Sequence, residues 1–134
     1  MARYSRRRGP TAQFELTAAF QTIPQLTITR EWDDGEVLIL FRHRYNNTIA
    51  AQTVFQRQPL LDGAAAVGAI MRTNVPANSN LTTADFWFLP LTAGPHTIAL
   101  QASGDAAAGD HLTANDCEVL VLQLPLWDQQ GDLT

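Results

Sequence analysis

The stretch "ADFWFLPLTAGPHTIALQ", residues 84–101, decides how this chain reads. Its second half alternates: Ile98 and Leu100 fall on one side of an extended chain, Thr97 and Gln101 on the other. A period of two is the mark of a half-buried β-strand. The first half does not alternate. Phe86, Trp87, Phe88 and Leu89 follow one another with no polar residue between them, so a strand here is apolar on both faces. The break between the halves, Thr92-Ala93-Gly94-Pro95, has the chemistry of a turn.

Period two recurs outward from this stretch. In "QFELTAAF" (13–20) Phe14, Leu16, Ala18 and Phe20 share a face, and in "LTITREW" (26–32) Leu26 and Ile28 oppose Thr27 and Thr29. Between the runs stand Ile23-Pro24, Asp33-Asp34-Gly35, Asn46-Asn47, Asp62-Gly63, Pro76 to Asn80, Gly94-Pro95 and Gly104-Asp105. Turn residues at such regular spacing predict an all-β, single-domain antiparallel β-sandwich. Eight strands are expected, at about 12–19, 25–32, 36–45, 51–58, 66–73, 84–90, 95–103 and 116–124. No window predicts a helix. The alanine-rich "DGAAAVGAIM" contains two glycines and reads as a loop entering a strand, and "GDAAAGDH" as a flexible loop.

Three runs are apolar throughout: "VLILF" (37–41), "FWFLPL" (86–91) and "VLVLQL" (119–124). An antiparallel sandwich strand normally shows one polar face to water. With no helix to cover the second face, the expected cover is another copy of the chain, since an open apolar patch invites aggregation. The expected oligomer interface is Leu38, Leu40, Trp87, Leu89, Leu120, Leu122 and Leu124.

Charge is unevenly placed. All nine basic residues are arginine, and Arg3, Arg6, Arg7 and Arg8 fall in the first eight positions, where there is no acid. The other 126 residues carry five arginines and thirteen acids, a net of −8. A basic arm (1–11) on an acidic body seeks an acidic protein surface, or stays solvated. With Arg3, Tyr4, Arg6, Arg7 and Arg8 as contacts, and Trp127 in a C-terminal tail (126–134) as an apolar anchor, arm and tail are expected to strap the body to a partner. Removing residues 2–9 is then expected to spare both fold and oligomer.

Little else points to chemistry. Cys117 is the only cysteine and lies in an apolar run, so it reads as a buried structural thiol. His43, His96 and His111 have no metal-ligand spacing; His43 shares a face with Ile39 and Phe41 and reads as a core or interface histidine, His96 as a structural one. Asp33, Asp34 and Glu36, and Asp105, Asp110 and Asp116, read as solvated loop acids rather than a calcium loop or a catalytic pair. Serines 5, 79 and 103 lack the context of a nucleophile. The acceptor patterns at Asn46 and Asn80 read as chance matches, because no export signal is seen. Four arginines without an aromatic platform on an acidic body make a poor nucleic-acid site. No run approaches the roughly 18 apolar residues of a membrane span. The expectation is a non-enzyme with no catalytic residue, no metal, no cofactor, and neither nucleic acid nor membrane as partner.

The series "FQTIPQLTITREWDDGEVLILFRHRY", "VFQRQPLLDG", "FWFLPLTAGPHTIALQ" and "CEVLVLQL" resembles a class of small jelly-roll proteins of tailed-phage virions, similar to the C1q/tumour-necrosis-factor type of jelly roll. The resemblance rests on Ile23-Pro24, Asp62-Gly63, Gly94-Pro95-His96-Thr97 with Leu100-Gln101, and Val119 to Leu124. Pro95 stands where a threonine-like residue is commoner, and the last strand ends Gln-Leu-Pro rather than Ile-Glu-Leu. It covers residues 12–124 and implies a jelly-roll domain at 12–125. In trimers of this type the third, sixth and eighth strands face the threefold axis, and the three doubly apolar runs fall in the expected third, sixth and eighth strands. The resemblance implies a homotrimer, with a dimer as the alternative, that decorates or cements the exterior of a capsid by binding the major capsid protein. Such a protein is made in the host cytoplasm. The other reading is a tail or fibre module that binds a host receptor or glycan.

Overall fold

The computed structural model describes residues 4–66, 68–105 and 109–124. They form twelve strands: β1 (Tyr4–Gly9), β2 (Phe14–Glu15), β3 (Gln21–Thr22), β4 (Ile28–Trp32), β5 (Gly35–Asn47), β6 (Thr53–Leu61), β7 (Ala64–Ala65), β8 (Met71–Val75), β9 (Ser79–Leu91), β10 (Gly94–Ser103), β11 (Asp110–Leu112) and β12 (Cys117–Leu124). Two six-stranded antiparallel sheets make the β-sandwich. The first runs β1-β12-β5-β11-β2, with β9 on the other side of β5; the second runs β3-β10-β6-β7, with β4 on β10 and β8 on β6.

Seven of the eight expected strands have counterparts, shifted by a few residues. The first does not: only Phe14–Glu15 is strand, and the alternation of "QFELTAAF" breaks there, leaving Leu16 buried but Ala18 exposed. The backbone of 16 and 104 instead ties into loops, Leu16 N–H to Asp110 O and Gly104 N–H to Thr17 O. The short strands β3, β7 and β11 are too brief to show a period, and β1 shows none because it is exposed at most positions.

The arm is the main departure. Residues 4–9 pair with β12 along their whole length, from Tyr4 opposite Leu122 to Gly9 opposite Cys117. Strand β12 would otherwise end the sheet with a row of unpaired N–H and C=O groups, and that demand for hydrogen bonds outweighs the charge that favours a free arm. Removing residues 2–9 therefore strips the sheet of an edge strand. The predicted tail, with Trp127, and Arg3 lie outside the described residues.

Side chains between the sheets form one core. Trp32, Phe41, Tyr45, Phe55, Ile23, Leu26, Ile28, Ile39, Ile98, Leu100 and Leu112 are almost wholly buried. The Tyr45 and Phe55 rings stack at 4.3 Å across the two sheets. Asp62 and Gly63 both take positive φ, 51° and 83°, in the two-residue link between β6 and β7. That is the hairpin for which an Asp-Gly pair is suited, because aspartate tolerates the left-handed region and glycine has no Cβ to clash.

Candidate functional site

Strands β5, β9 and β12 lie side by side, so the three doubly apolar runs share one sheet. Their inward residues are Val37, Ile39 and Phe41, then Trp87, Leu89 and Leu91, then Val119 and Val121; all are buried. Their outward residues line up in register. One row across β9, β5, β12 and β1 is Phe88, Leu38, Leu122 and Tyr4; the next is Phe86, Leu40, Leu120 and Arg6. Pro90, Glu36 and Leu124 border the first row, and Ala84, Arg42, Glu118 and Arg8 border the second. Phe86 and Phe88 are 56% and 52% exposed and Tyr4 64%, which makes this an open apolar face rather than a covered one. The two phenylalanine rings meet edge to face at 5.9 Å.

Five of the seven expected interface residues stand on this face: Leu38, Leu40, Leu120, Leu122 and Leu124. Trp87 and Leu89 do not. Both are 7% exposed, and the Trp87 indole N–H donates to Ala69 O at 2.7 Å inside the fold. The register with β5 puts Trp87 opposite Ile39, a core residue, and Phe86 opposite Leu40, an outward one. Sequence reasoning missed Phe86, Phe88 and Arg42. No local signal separated the two parities, since upstream Leu81 shares parity with Trp87 but so does Asp85.

The arginines of β1 sit at the edge of the same sheet. Arg6 Nη2 donates to Glu118 Oε2 at 2.7 Å, and Arg8 Nη2 lies 3.7 Å from the same oxygen. Both guanidiniums are more than half exposed, so these pairs contribute little to stability. Arg44 and Asp116 make a further exposed pair at 3.4 Å.

A second group of charges lies inside the sandwich. Asp85 of β9 accepts from Arg57 of β6 twice, Nε to Oδ2 at 2.8 Å and Nη2 to Oδ1 at 2.6 Å, and His43 Nε2 is 2.9 Å from Oδ2. Arg57 also donates to Phe55 O and Thr73 Oγ1. His43 is fully buried between the Phe41 and Phe55 rings, as its shared face with Ile39 and Phe41 predicts. Burial lowers its pKa below the ordinary 6.5, against the opposing pull of Asp85. Desolvation pushes the Asp85 carboxyl up, but the hydrogen bonds from Arg57 and His43 outweigh it and hold it at about 2. The group joins the two sheets and is closed to any substrate, so it serves the fold.

The remaining candidates also have structural partners. His96 lies between two acceptors: Nδ1 is 2.6 Å from Asp62 Oδ2 and Nε2 is 2.9 Å from Thr92 O. Both contacts favour the doubly protonated ring, and with Asp62 the leading cause its pKa is raised. The carboxylate of Asp62, which also accepts from Thr97 N, is lowered. A folded pKa raised above 6.5 means the pair stabilises fully below that value and its contribution is lost as pH rises through the folded pKa. The His96 ring is expected to titrate above the ordinary value in an NMR pH series, and Asp62→Asn to bring it down. An unchanged titration in that variant would remove Asp62 as the cause. Cys117 is buried, and desolvation pushes its thiol up to about 11. Asp110, expected among the solvated loop acids, is fully buried; its Oδ2 accepts from Asp105 N at 2.9 Å and closes the loop from Gly104.

Comparison with solved structures gives a likeness of fold over most of the chain. A mutant VP2 protein of infectious bursal disease virus, in T=1 particles, matches with TM-score 0.58 and 12% identity over 91% of this chain and 32% of that one. The VP2 subviral particle of the same virus matches with TM-score 0.56 and 12% identity over 91% and 33%. The Gx strain of the virus matches with TM-score 0.56 and 16% identity over 93% and 34%. This chain thus spans about a third of the length of the solved chains it matches. No protein-family model matches it, and no curated protein does.

Proposed function

We propose that this chain is a structural protein of a virus particle that assembles with copies of itself through the outer face of β1, β12, β5 and β9. The observation that carries the reading is the pair of apolar rows on that face, with Phe86 and Phe88 more than half exposed. A single sheet face can close around a rotation axis, where side chains lying on the axis meet their own copies. A homotrimer is the expected assembly: β5, β9 and β12 are the strands that the resemblance to trimeric jelly rolls assigns to the axis. The fold likeness to VP2 chains solved in viral particles favours a capsid setting. Placement on the exterior of a phage capsid, in contact with the major capsid protein, follows from the tailed-phage resemblance alone.

Stabilisation of a shell by such a protein follows mass action, since it binds the assembled lattice and not the dissociated subunits. Particles imaged with and without the protein are expected to differ by outward density at symmetry-related positions, and those carrying it to open at a higher temperature. Density inside the shell, or at the tail alone, would overturn the exterior capsid placement.

A further inference from the structure

An open groove of about 440 Å³ lies beside β1, lined by Arg6, Arg7, Arg8, Gln25 and Thr27. Among the described residues β1 ends its sheet, so alternate residues aim their N–H and C=O away from β12. The Tyr4 carbonyl is one of these, since it accepts from the Arg30 guanidinium across the groove side. By the same alternation the main-chain groups of Arg6 and Arg8 face outward too. Side chains add charge to this edge. Arg6 and Arg8 share one face of the strand, Arg7 takes the other, and all three reach the groove because, among the described residues, no further strand flanks them. Among the described residues Glu118 is the one acid paired with them, which leaves three guanidiniums against one carboxylate.

We propose that this groove binds an extended acidic segment of a partner protein, added as a further strand on the free edge of β1. The proposal deepens the assembly reading by naming the chemistry of the partner, and rests on it only for the setting. Main-chain groups of Arg6 and Arg8 supply the ladder, as in other strand-addition interfaces. Their guanidiniums stand two residues apart, about 7 Å along the strand, and so match carboxylates at alternate positions of the incoming chain. Arg7, across the strand, takes a carboxylate of the opposite parity. With the Tyr4 carbonyl taken by Arg30, the open ladder runs from Arg6 to Arg8, about 7 Å, which selects a short segment. A nucleic acid supplies phosphates but no matching N–H and C=O ladder, and the net −8 of residues 9–134 repels a long polyanion.

The test uses the whole chain and a fluorescent eight-residue peptide with glutamate at alternate positions and at one position between them, and threonine or valine elsewhere, followed by anisotropy. Saturable binding is expected, weakened about tenfold or more by Arg7→Glu and falling steeply with salt. A glutamine version of the peptide, and one N-methylated at alternate residues, should each lose most of the affinity. Arg7 lies off the apolar rows, so light scattering of Arg7→Glu should show an unchanged assembly. Peptide binding by a chain that proves monomeric would sink the assembly reading and keep this one. Absence of binding up to millimolar peptide, indifference to N-methylation, or tighter binding of a single-stranded oligonucleotide of equal charge would overturn it. In those cases the arginines only guard an exposed edge against aggregation.

Discussion

Phe88→Asp should give a folded monomer, whereas Trp87→Asp, one residue away, should fail to fold. Phe88 is 52% exposed in the single chain, so a carboxylate there stays in water and costs the isolated domain little. In the assembly the same carboxylate meets its own copies in an apolar seam. Loss of one aromatic anchor typically costs about 2–4 kcal/mol of binding, and the symmetry repeats that loss in every copy. Trp87 is 7% exposed, packs in the core and donates its indole N–H to Ala69 O. Replacing it removes a large buried side chain and buries a charge, together about 4 kcal/mol or more, a large part of the stability of a domain this size. Light scattering and circular dichroism at micromolar concentration separate the two outcomes. A Phe88→Asp protein that keeps the mass of the wild-type oligomer would show that the face is not the interface.

Asp85→Ala should destabilise the domain by about 3–5 kcal/mol, because it leaves Arg57, 3% exposed, as a buried charge without its carboxylate. The measurement is a urea midpoint, best made in the Phe88→Asp background so that unfolding is not coupled to dissociation. A double change of Arg57 and Asp85 to apolar residues of similar size should cost much less than Asp85→Ala alone. Equal costs would mean that the orphaned charge is not what matters.

Acid should expose the same cluster in two steps. The folded pKa of His43 lies below 6.5, so the unfolded chain binds the extra proton first and stability falls as pH drops below 6.5. Asp85 adds stability above its ordinary 3.8 and loses it as pH falls toward about 2. His43→Phe should flatten the first step and narrow the second, because Asp85 also loses the His43 hydrogen bond that helps to lower its pKa. Persistence of the full slope below pH 6.5 in that variant would assign it to other groups.

The sandwich was legible in residues 26–32 and 97–101 because burying one face of a sheet forces alternation, and because reversals need residues of the Asp-Gly kind; Asn46-Asn47, expected as a turn, lies inside β5. Position along the chain does not limit such signals. The doubly apolar runs likewise marked strands with apolar side chains on both faces; that they share one sheet was what the jelly-roll resemblance implied. Which residue of "FWFL" faces the core was not legible locally, since both parities are apolar; the pairing of Trp87 with Ile39 and of Phe86 with Leu40 decides it. The arginine strand was hidden for a different reason. An edge strand exposed at most of its positions has no apolar face to leave a period, and its place depends on the open edge of β12, more than a hundred residues away.

The amino-acid sequence by itself determined the strand periodicity, the turns and the surplus of apolar surface, because each follows from what neighbouring side chains do in water. Only the tertiary structure decided three things: that Phe86 and Phe88 rather than Trp87 and Leu89 face outward, that the basic segment is a strand, and that Arg57 meets Asp85 and His43. Those depend on register between strands and on contacts across 28 and 42 residues of chain, where energy is set by pairing and desolvation in three dimensions.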